Sequence, residues 1–213
     1  MIQDLTLTDK QFLKFSELVY NKIGITLPLN KKQLLQSRVN KILRIKNFNN
    51  YDEYFKLINQ DQEELIGFID AISTNVTSFF REEKHFQFMQ DVWFNQLPLN
   101  PDKVSIWSAA CSSGEEPYSI AIQLMQIFDP KKTRMEIMAS DISTRILAVA
   151  KKAVYSSEKV KSTDPELVKK YFLKGNGKAE GYVKIKDDIK NMVSFDRINL
   201  IEDYSLKKQF EII

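Results

Sequence analysis

Between Val104 and Asp141 the chain runs through a buried strand, a small-residue turn, an apolar helix and a second buried strand, and that order admits few folds. Val104-Ser105-Ile106-Trp107-Ser108-Ala109 has the length and the unbroken apolar-to-small composition of a strand covered on both faces. A turn ending at Gly114 leads to a helical pattern from about Pro117 to Phe128. A second strand, Met135–Ser140, leads to Asp141 and to a helix through about Ala153. Strand, helix, strand and helix in this order predict right-handed crossovers on a parallel sheet, hence an α/β fold. A third strand is expected at Met192–Asp196, and Phe210-Glu211-Ile212-Ile213 begins what reads as a fourth. Residues 156–190 interrupt the rhythm with a helix near Pro165–Phe172, a Gly175-Asn176-Gly177 turn and a short strand at Gly181–Ile185. They read as an inserted small β-subdomain.

The preceding half has a different period. Phe12, Phe15, Val19 and Ile23, then Leu35, Val39 and Ile42, recur at helical spacing, and two more segments around Tyr51–Gln60 and Glu63–Ile72 complete a bundle of four helices. Thr8 or Asp9 is placed to cap the first helix, and Gly24 with Pro28 marks its end. The expected organisation is a helical domain over residues 1–74 and an α/β domain over 75–213, with a short linker bracketed by Pro98 and Pro101 ahead of the first strand.

Several kinds of chemistry are poorly matched to this composition. One cysteine, Cys111, excludes an intrachain disulfide framework, and with a single histidine, His85, a zinc site of Cys and His ligands is not expected. No run of about 18 apolar residues occurs, and Met1-Ile2-Gln3-Asp4 does not open a basic-then-apolar leader, so no membrane insertion is expected and the cytoplasm is the expected compartment. Charge is unevenly spread: residues 1–50 hold nine Lys or Arg against three acids, while the rest carries a slight acidic excess. The basic run Lys31, Lys32, Arg38, Lys41, Arg44 and Lys46 has no acid between its ends, and Arg38, Lys41 and Arg44 would flank the apolar stripe of one helix. An anionic partner would suit it; a solvated helix face would explain it equally. No base-reading motif or basic-aromatic platform accompanies the charge, so nucleic acid is not expected.

The turn Ala110-Cys111-Ser112-Ser113-Gly114-Glu115-Glu116 lies where an α/β sheet binds ligands, between a strand and its helix. It lacks the three glycines of a dinucleotide fingerprint, and its acidic pair would repel a pyrophosphate. A ligand bearing an ammonium or sulfonium group would be tolerated better. Asp141, at the end of the second strand, is placed to accept from both hydroxyls of an unphosphorylated ribose. Together these favour an adenosine ligand without phosphates, although helix N-terminal charge alone would account for the glutamates. Thr74-Asn75-Val76-Thr77-Ser78-Phe79-Phe80-Arg81-Glu82, joining the halves, mixes aromatics with hydrogen-bonding groups, as a helix cap and hydrophobic hinge also would.

That joining run resembles the signature of the chemotaxis receptor methyltransferase family, CheR. So do the run from Ile106 through Glu115-Glu116-Pro117-Tyr118-Ser119, then Ala139-Ser140-Asp141-Ile142, and Val193-Ser194-Phe195 with Asn199-Leu200. The resemblance implies a helical N-terminal domain packed on a class I, Rossmann-like methyltransferase domain, with S-adenosylmethionine bound between them and S-adenosylhomocysteine as product. By analogy Asn75, Thr77 and Arg81 line the cofactor site, Glu115 and Glu116 lie near the methionine end, Asp141 holds the ribose, and Asn199 and Leu200 sit beside the adenine. The implied activity is methyl esterification of glutamate side chains on a chemoreceptor, with Arg81 orienting the accepting carboxylate. Arg38, Lys41 and Arg44 would contact the anionic methylation helices, and the β-subdomain would dock a receptor's C-terminal peptide by strand addition, to which the Gly175–Gly181 loop is suited. A flexible turn would show the same loop composition. His85 reads as structural and Cys111 as merely small.

Family members continue past the fourth strand through a Cys-Arg-Asn segment and further strands, so the resemblance also implies a domain cut short, with an exposed sheet edge. Two other readings stay open at this point: a receptor-binding module without catalysis, which would bind receptor without methyl transfer, and a different nucleotide-using α/β enzyme such as a reductase, which would bind a dinucleotide.

Overall fold

The computed structural model describes residues 5–73, 75–98, 101–204 and 209–213. Met1–Asp4, Thr74 at the expected domain boundary, and Leu99 and Asn100 inside the expected linker lie outside the described residues. The chain divides into two compact units.

The first unit holds the helices of residues 5–73 together with Ile142–Thr144 and Asn199–Tyr204. Helices α1 (Asp9–Ile23), α2 (Lys32–Lys46), α3 (Tyr51–Gln60) and α4 (Gln62–Ile72) follow one another through short loops. Thr8 caps α1 in a full capping box, its hydroxyl taking the Gln11 amide while the Gln11 side chain takes the Thr8 amide. Asn50 and Asp61 cap α3 and α4 in the same sense. The apolar stripes read from the sequence are the buried ones: Phe12, Phe15 and Val19 of α1, Leu35 and Val39 of α2, Tyr54 and Ile58 of α3, and Phe68 of α4 form one core. Each fully buried phenylalanine there contributes about 1.5–3 kcal/mol.

The second unit begins at Asn75. A short helix α5 (Glu83–Phe88) passes into a π-helical turn at Met89–Trp93. The α/β alternation then follows as β1 (Lys103–Ala109), α6 (Glu115–Ile127), β2 (Arg134–Asp141) and α7 (Thr144–Lys152). The inserted segment supplies β3 (Val154–Ser156), α8 (Pro165–Tyr171), β4 (Phe172–Lys174), β5 (Tyr182–Ile185) and a single turn, α9 (Asp187–Lys190). The main sheet closes with β6 (Val193–Arg197).

Strands β1, β2 and β6 pair in parallel in that order. On the other side of β1, Ile106 and Ile212 form a parallel bridge, with the Trp107 amide donating to Ile212 O at 2.9 Å. The 209–213 segment therefore forms a single bridge rather than a described strand. The strand order reverses at β1, the place where α/β sheets open a crevice beyond their carboxyl ends. Helix α6 covers the sheet with Tyr118, Ala121, Ile122 and Leu124, all fully buried with Val104 of β1 and Ile137 of β2.

The insertion differs from expectation in extent. Its sheet, ordered β3-β5-β4 and antiparallel, starts at Val154, because α7 ends at Lys152 and Ala153 turns left-handed with φ 57°. Strands of three residues are too short for alternation to register, so β3 and β4 left no pattern.

Candidate active site

The turn after β1 owes its shape to alternating handedness: Ala110, Ser112 and Gly114 have φ of 59°, 51° and 92°. Alternation of this kind aims successive backbone amides inward, into a concavity suited to anionic atoms. Here the Ser112 amide donates to Asp141 Oδ2 at 2.8 Å, and the Cys111 amide to Ser140 O at 2.8 Å. Asp141, at the carboxyl end of β2 and only 7% exposed, is thus fastened to the turn from a neighbouring strand. Tyr155 of β3 closes the turn from outside, its hydroxyl donating to Ser113 O at 2.8 Å. Ser112 Oγ is buried within the turn and has no hydrogen-bond partner among the described residues.

The two glutamates separate. Glu116 is exposed at the start of α6 and accepts from Ser108 Oγ at 2.7 Å. Glu115 is fully buried: Ser113 Oγ donates to its Oε2 at 2.5 Å, and the Lys159 ammonium lies 2.9 Å from its Oε1. Glu115, expected near the methionine end of a cofactor, is enclosed with these two partners, and its Oε1 meets Lys159 as an ion pair. A carboxylate cannot be stripped of water without such partners.

The segment from Asn75 to Glu82 is held by Lys159 and by Ser119 of α6. Lys159 Nζ donates to Thr77 O at 2.9 Å, the Phe80 amide to Ser119 Oγ at 2.9 Å, and Ser119 Oγ in turn to Glu115 O at 2.7 Å. Phe79 is buried between the rings of Tyr155 and Phe172, edge-on at 5.0 and 5.2 Å. Arg81 itself is exposed, its guanidinium donating to Val76 O at 3.0 Å, between Phe80 at φ 52° and Glu82 at φ 57°. Asn75 and Thr77 are half-buried on the same segment.

The remaining expected site residues belong to the first unit. Asn199 and Leu200 group with the helical unit, where Asn199 donates to Lys22 O and Glu202 Oε1, both at 2.7 Å, and Leu200 is exposed. On α2, Arg38, expected at the receptor contact, caps the end of α4 by donating to the carbonyls of Ile72 and Ser73. Lys41 and Arg44 are exposed. His85 is exposed as well.

Burial, and secondarily the charge of Asp141, pushes the Cys111 thiol up to about 12, which leaves it protonated and unreactive at neutral pH. Among the described residues no group of three or more His, Cys, Asp or Glu could hold a metal ion, and no helix is long and apolar enough to cross a membrane. Lys159, Tyr155 and the Ser112 amide were not singled out in the sequence. A lysine in a charged surface-like stretch gives no sign of a partner 82 positions earlier.

The donor set is compatible with an adenosine carrying a cationic sulfur: a buried carboxylate at the end of β2, an exposed glutamate at the helix start, and a buried Ser112 hydroxyl without a hydrogen-bond partner among the described residues. Comparison with known proteins agrees. The profile described as "CheR methyltransferase, SAM binding domain" matches residues 75–213, and "CheR methyltransferase, all-alpha domain" matches residues 10–73. The chain is similar to the chemotaxis protein methyltransferase of Salmonella typhimurium, 34% identical over 100% of this chain and 74% of the relative. It is 36% identical to chemotaxis protein methyltransferase 2 of Pseudomonas aeruginosa, over 99% of this chain and 75% of that protein. The Borreliella burgdorferi chemotaxis protein methyltransferase is 34% identical, over 99% of this chain and 77% of that one.

Proposed function

This chain belongs to the CheR methyltransferase family, and from that premise we propose that Asn75, Thr77, Arg81, Glu116, Asp141, Asn199 and Leu200 provide its cofactor contacts, with Arg81 also orienting the substrate carboxylate. The chain is an S-adenosylmethionine-dependent methyltransferase of bacterial chemotaxis whose substrates are chemoreceptors. A receptor-binding module without catalysis is not favoured by these relatives, all of which carry methyltransferase names. The observation that carries the site reading is the buried Asp141 carboxylate, pinned by the Ser112 amide at the strand-order reversal.

S-adenosylmethionine supplies an electrophilic methyl group on a sulfonium sulfur. The protein's tasks follow from the acceptor. A glutamate side chain, with a pKa of about 4.3, is already ionised at neutral pH and needs no general base. It does need to lose water and to present one oxygen at about 3–3.5 Å in line with the departing sulfur. Arg81, exposed and held through Val76 O and a Glu82 carboxylate 3.8 Å away, can pair with that carboxylate without burying it in a tight bidentate bond that would quench its nucleophilicity. Glu116 faces the cationic end and Asp141 the ribose. Cys111, protonated and enclosed, takes no part.

Lys41 and Arg44 support encounter with the anionic methylation helices of a receptor, a steering that salt screens. The outer strands β3 and β4 of the small antiparallel sheet suit strand addition by a receptor's C-terminal peptide. The compartment consistent with this role is the cytoplasm. The test is titration calorimetry with S-adenosylhomocysteine: saturable binding by the wild type that is lost in Asp141→Ala supports the reading, and equal binding by both refutes Asp141 as the ribose ligand.

A further inference from the structure

The inserted β-subdomain reaches the candidate site through Tyr155 and Phe172, already described, and through the charged side chain of Lys159. Lys159 stands on a 3-10 turn, Ser157–Val160, which the inserted sheet fixes by the Ser157 amide donating to Gly181 O at 2.8 Å and by the buried side chain of Val160. From there its ammonium makes two contacts of 2.9 Å, to Thr77 O and to Glu115 Oε1. The first is a hydrogen bond and the second an ion pair. Thr77 O belongs to the segment bearing Asn75 and Arg81, and Glu115 is a fully buried carboxylate at the start of α6. Ser113 Oγ completes the group, so the cation, the carboxylate and the turn hydroxyl form one network.

A surface lysine has little reason to abandon water for such a place. Its side chain is still 40% exposed, so the pairing is not enforced by burial of the lysine; the buried member is Glu115. Glu115 needs a cation, and the one provided comes from the insertion and grips the 75–82 backbone in the same reach. We infer that Lys159 is a positioning residue, which locks the Asn75–Arg81 segment to the start of α6 and so makes the inserted subdomain a structural part of the methyl-transfer site rather than only a docking appendage. Lys159 need not touch cofactor or substrate to do this. It fixes the carbonyl of Thr77, and through it the backbone from which Arg81 projects. The inference rests on the reading that this segment contacts the cofactor.

Removing Lys159 alone would strand a buried charge, so the informative variant is Lys159→Met combined with Glu115→Gln, which removes both charges together. Three measurements are made on the full chain: urea unfolding, deuterium uptake across 75–82, and calorimetric affinity for S-adenosylhomocysteine. The expected result is a urea midpoint close to wild type, faster exchange in that segment, and affinity weakened about tenfold, as a displaced positioning segment would give. Lys159→Arg, which keeps a cation with several donors, is expected to retain most of the affinity. A pair variant that folds, exchanges and binds like wild type overturns the inference. If that variant does not fold, Lys159→Gln with Glu115→Gln replaces it under the same criteria; failure of both to fold also overturns it, because the network would then hold the fold and not the segment. Wild-type protein that binds no S-adenosylhomocysteine would sink the site reading and this inference together, whereas equal binding by wild type and pair variant faults Lys159 alone.

Discussion

Gly114→Ala tests whether the turn after β1 is packed as tightly as its geometry says. Gly114 sits at φ 92°, and a methyl group added there would meet Ala150 Cβ at 2.9 Å, Tyr155 Oη at 3.1 Å and Ala150 Cα at 3.3 Å. The left-handed backbone alone costs an alanine about 1–2 kcal/mol. Overpacking against α7 adds about 1–3 kcal/mol, since the nearest atoms are a methyl and a backbone carbon that cannot swing aside. Displacing Tyr155 weakens its hydrogen bond to Ser113 O, worth about 1 kcal/mol. Gly177→Ala is the control: its φ is 54° but nothing lies within 4 Å of the added methyl, so it carries the backbone cost only. The steric part is then the difference between the two variants, about 2 kcal/mol, or about 1 M in urea midpoint. Both tryptophans, Trp93 and Trp107, lie in the second unit, so tryptophan fluorescence follows the unfolding of that unit. If Gly114→Ala unfolds at the same urea concentration as Gly177→Ala, the close approach of the turn to α7 and Tyr155 is wrong.

Arg81→Ala should reduce receptor methylation about a hundredfold while changing S-adenosylhomocysteine affinity far less; an unchanged rate would refute its role in orienting the acceptor. Lys41→Glu should slow association with the receptor at low ionic strength, with the difference vanishing at high salt; stopped-flow rates that are equal at both salt levels would remove α2 from the encounter. Cys111, raised from 9.0 to about 12 by burial and by Asp141, should resist disulfide-exchange reagents at pH 8 in the native state and react quickly in urea. The sign of its linkage follows: between about pH 9 and 12 the native chain holds a proton that the unfolded chain has lost, so the stability from the neutral thiol is complete below pH 9 and disappears as pH rises towards 12. Cys111→Ala should flatten that alkaline slope, and rapid native labelling at pH 8 would contradict the burial.

What the sequence revealed depended on how local the signal was. Val104–Ala109, the helix after Gly114 and the strand before Asp141 each carry their period within a dozen residues, and β1, α6 and β2 follow them closely. The four helices of the first unit were legible for the same reason, with Thr8 marking the start of the first, whereas the caps at Asn50 and Asp61 emerged only from the structure. The three-residue strands β3 and β4 were not, because pairing with β5 rather than periodicity makes them strands. Arg38 looked like one more cation on a basic face; its use on the Ile72 and Ser73 carbonyls depends on where α4 ends. Glu115 and Glu116 are adjacent and chemically identical, so nothing local told the buried one from the exposed one. The 100° step of an α-helix did that by turning one side chain inward toward Ser113 and Lys159.

Backbone strain in this molecule is concentrated where the chemistry is proposed. Of the non-glycine residues at positive φ, Asn47 ends α2 and suits that role, while Phe80, Glu82, Ala110, Ser112 and Ala153 all belong to the second unit. Each costs about 1 kcal/mol or more, and a bulky residue such as Phe80 has no intrinsic reason to accept it. What compensates is visible at three of them: the Phe80 amide is taken by Ser119, the Ser112 amide by Asp141, and Ala153 O accepts from the Ile185 amide at 3.0 Å. Two of these bonds fix the two segments that bear Arg81 and Asp141. The turn and the carboxylate it binds are therefore already fastened to each other before any ligand arrives, so ligand binding need not supply the ordering free energy of that half of the site. Cooling or a stabilising osmolyte should then change S-adenosylhomocysteine affinity little through the turn, and a variant that relaxes only the left-handed strain at Ala110, Ala110→Gly, should raise stability without tightening binding. Tighter binding by Ala110→Gly would mean that the turn is still being ordered by its ligand.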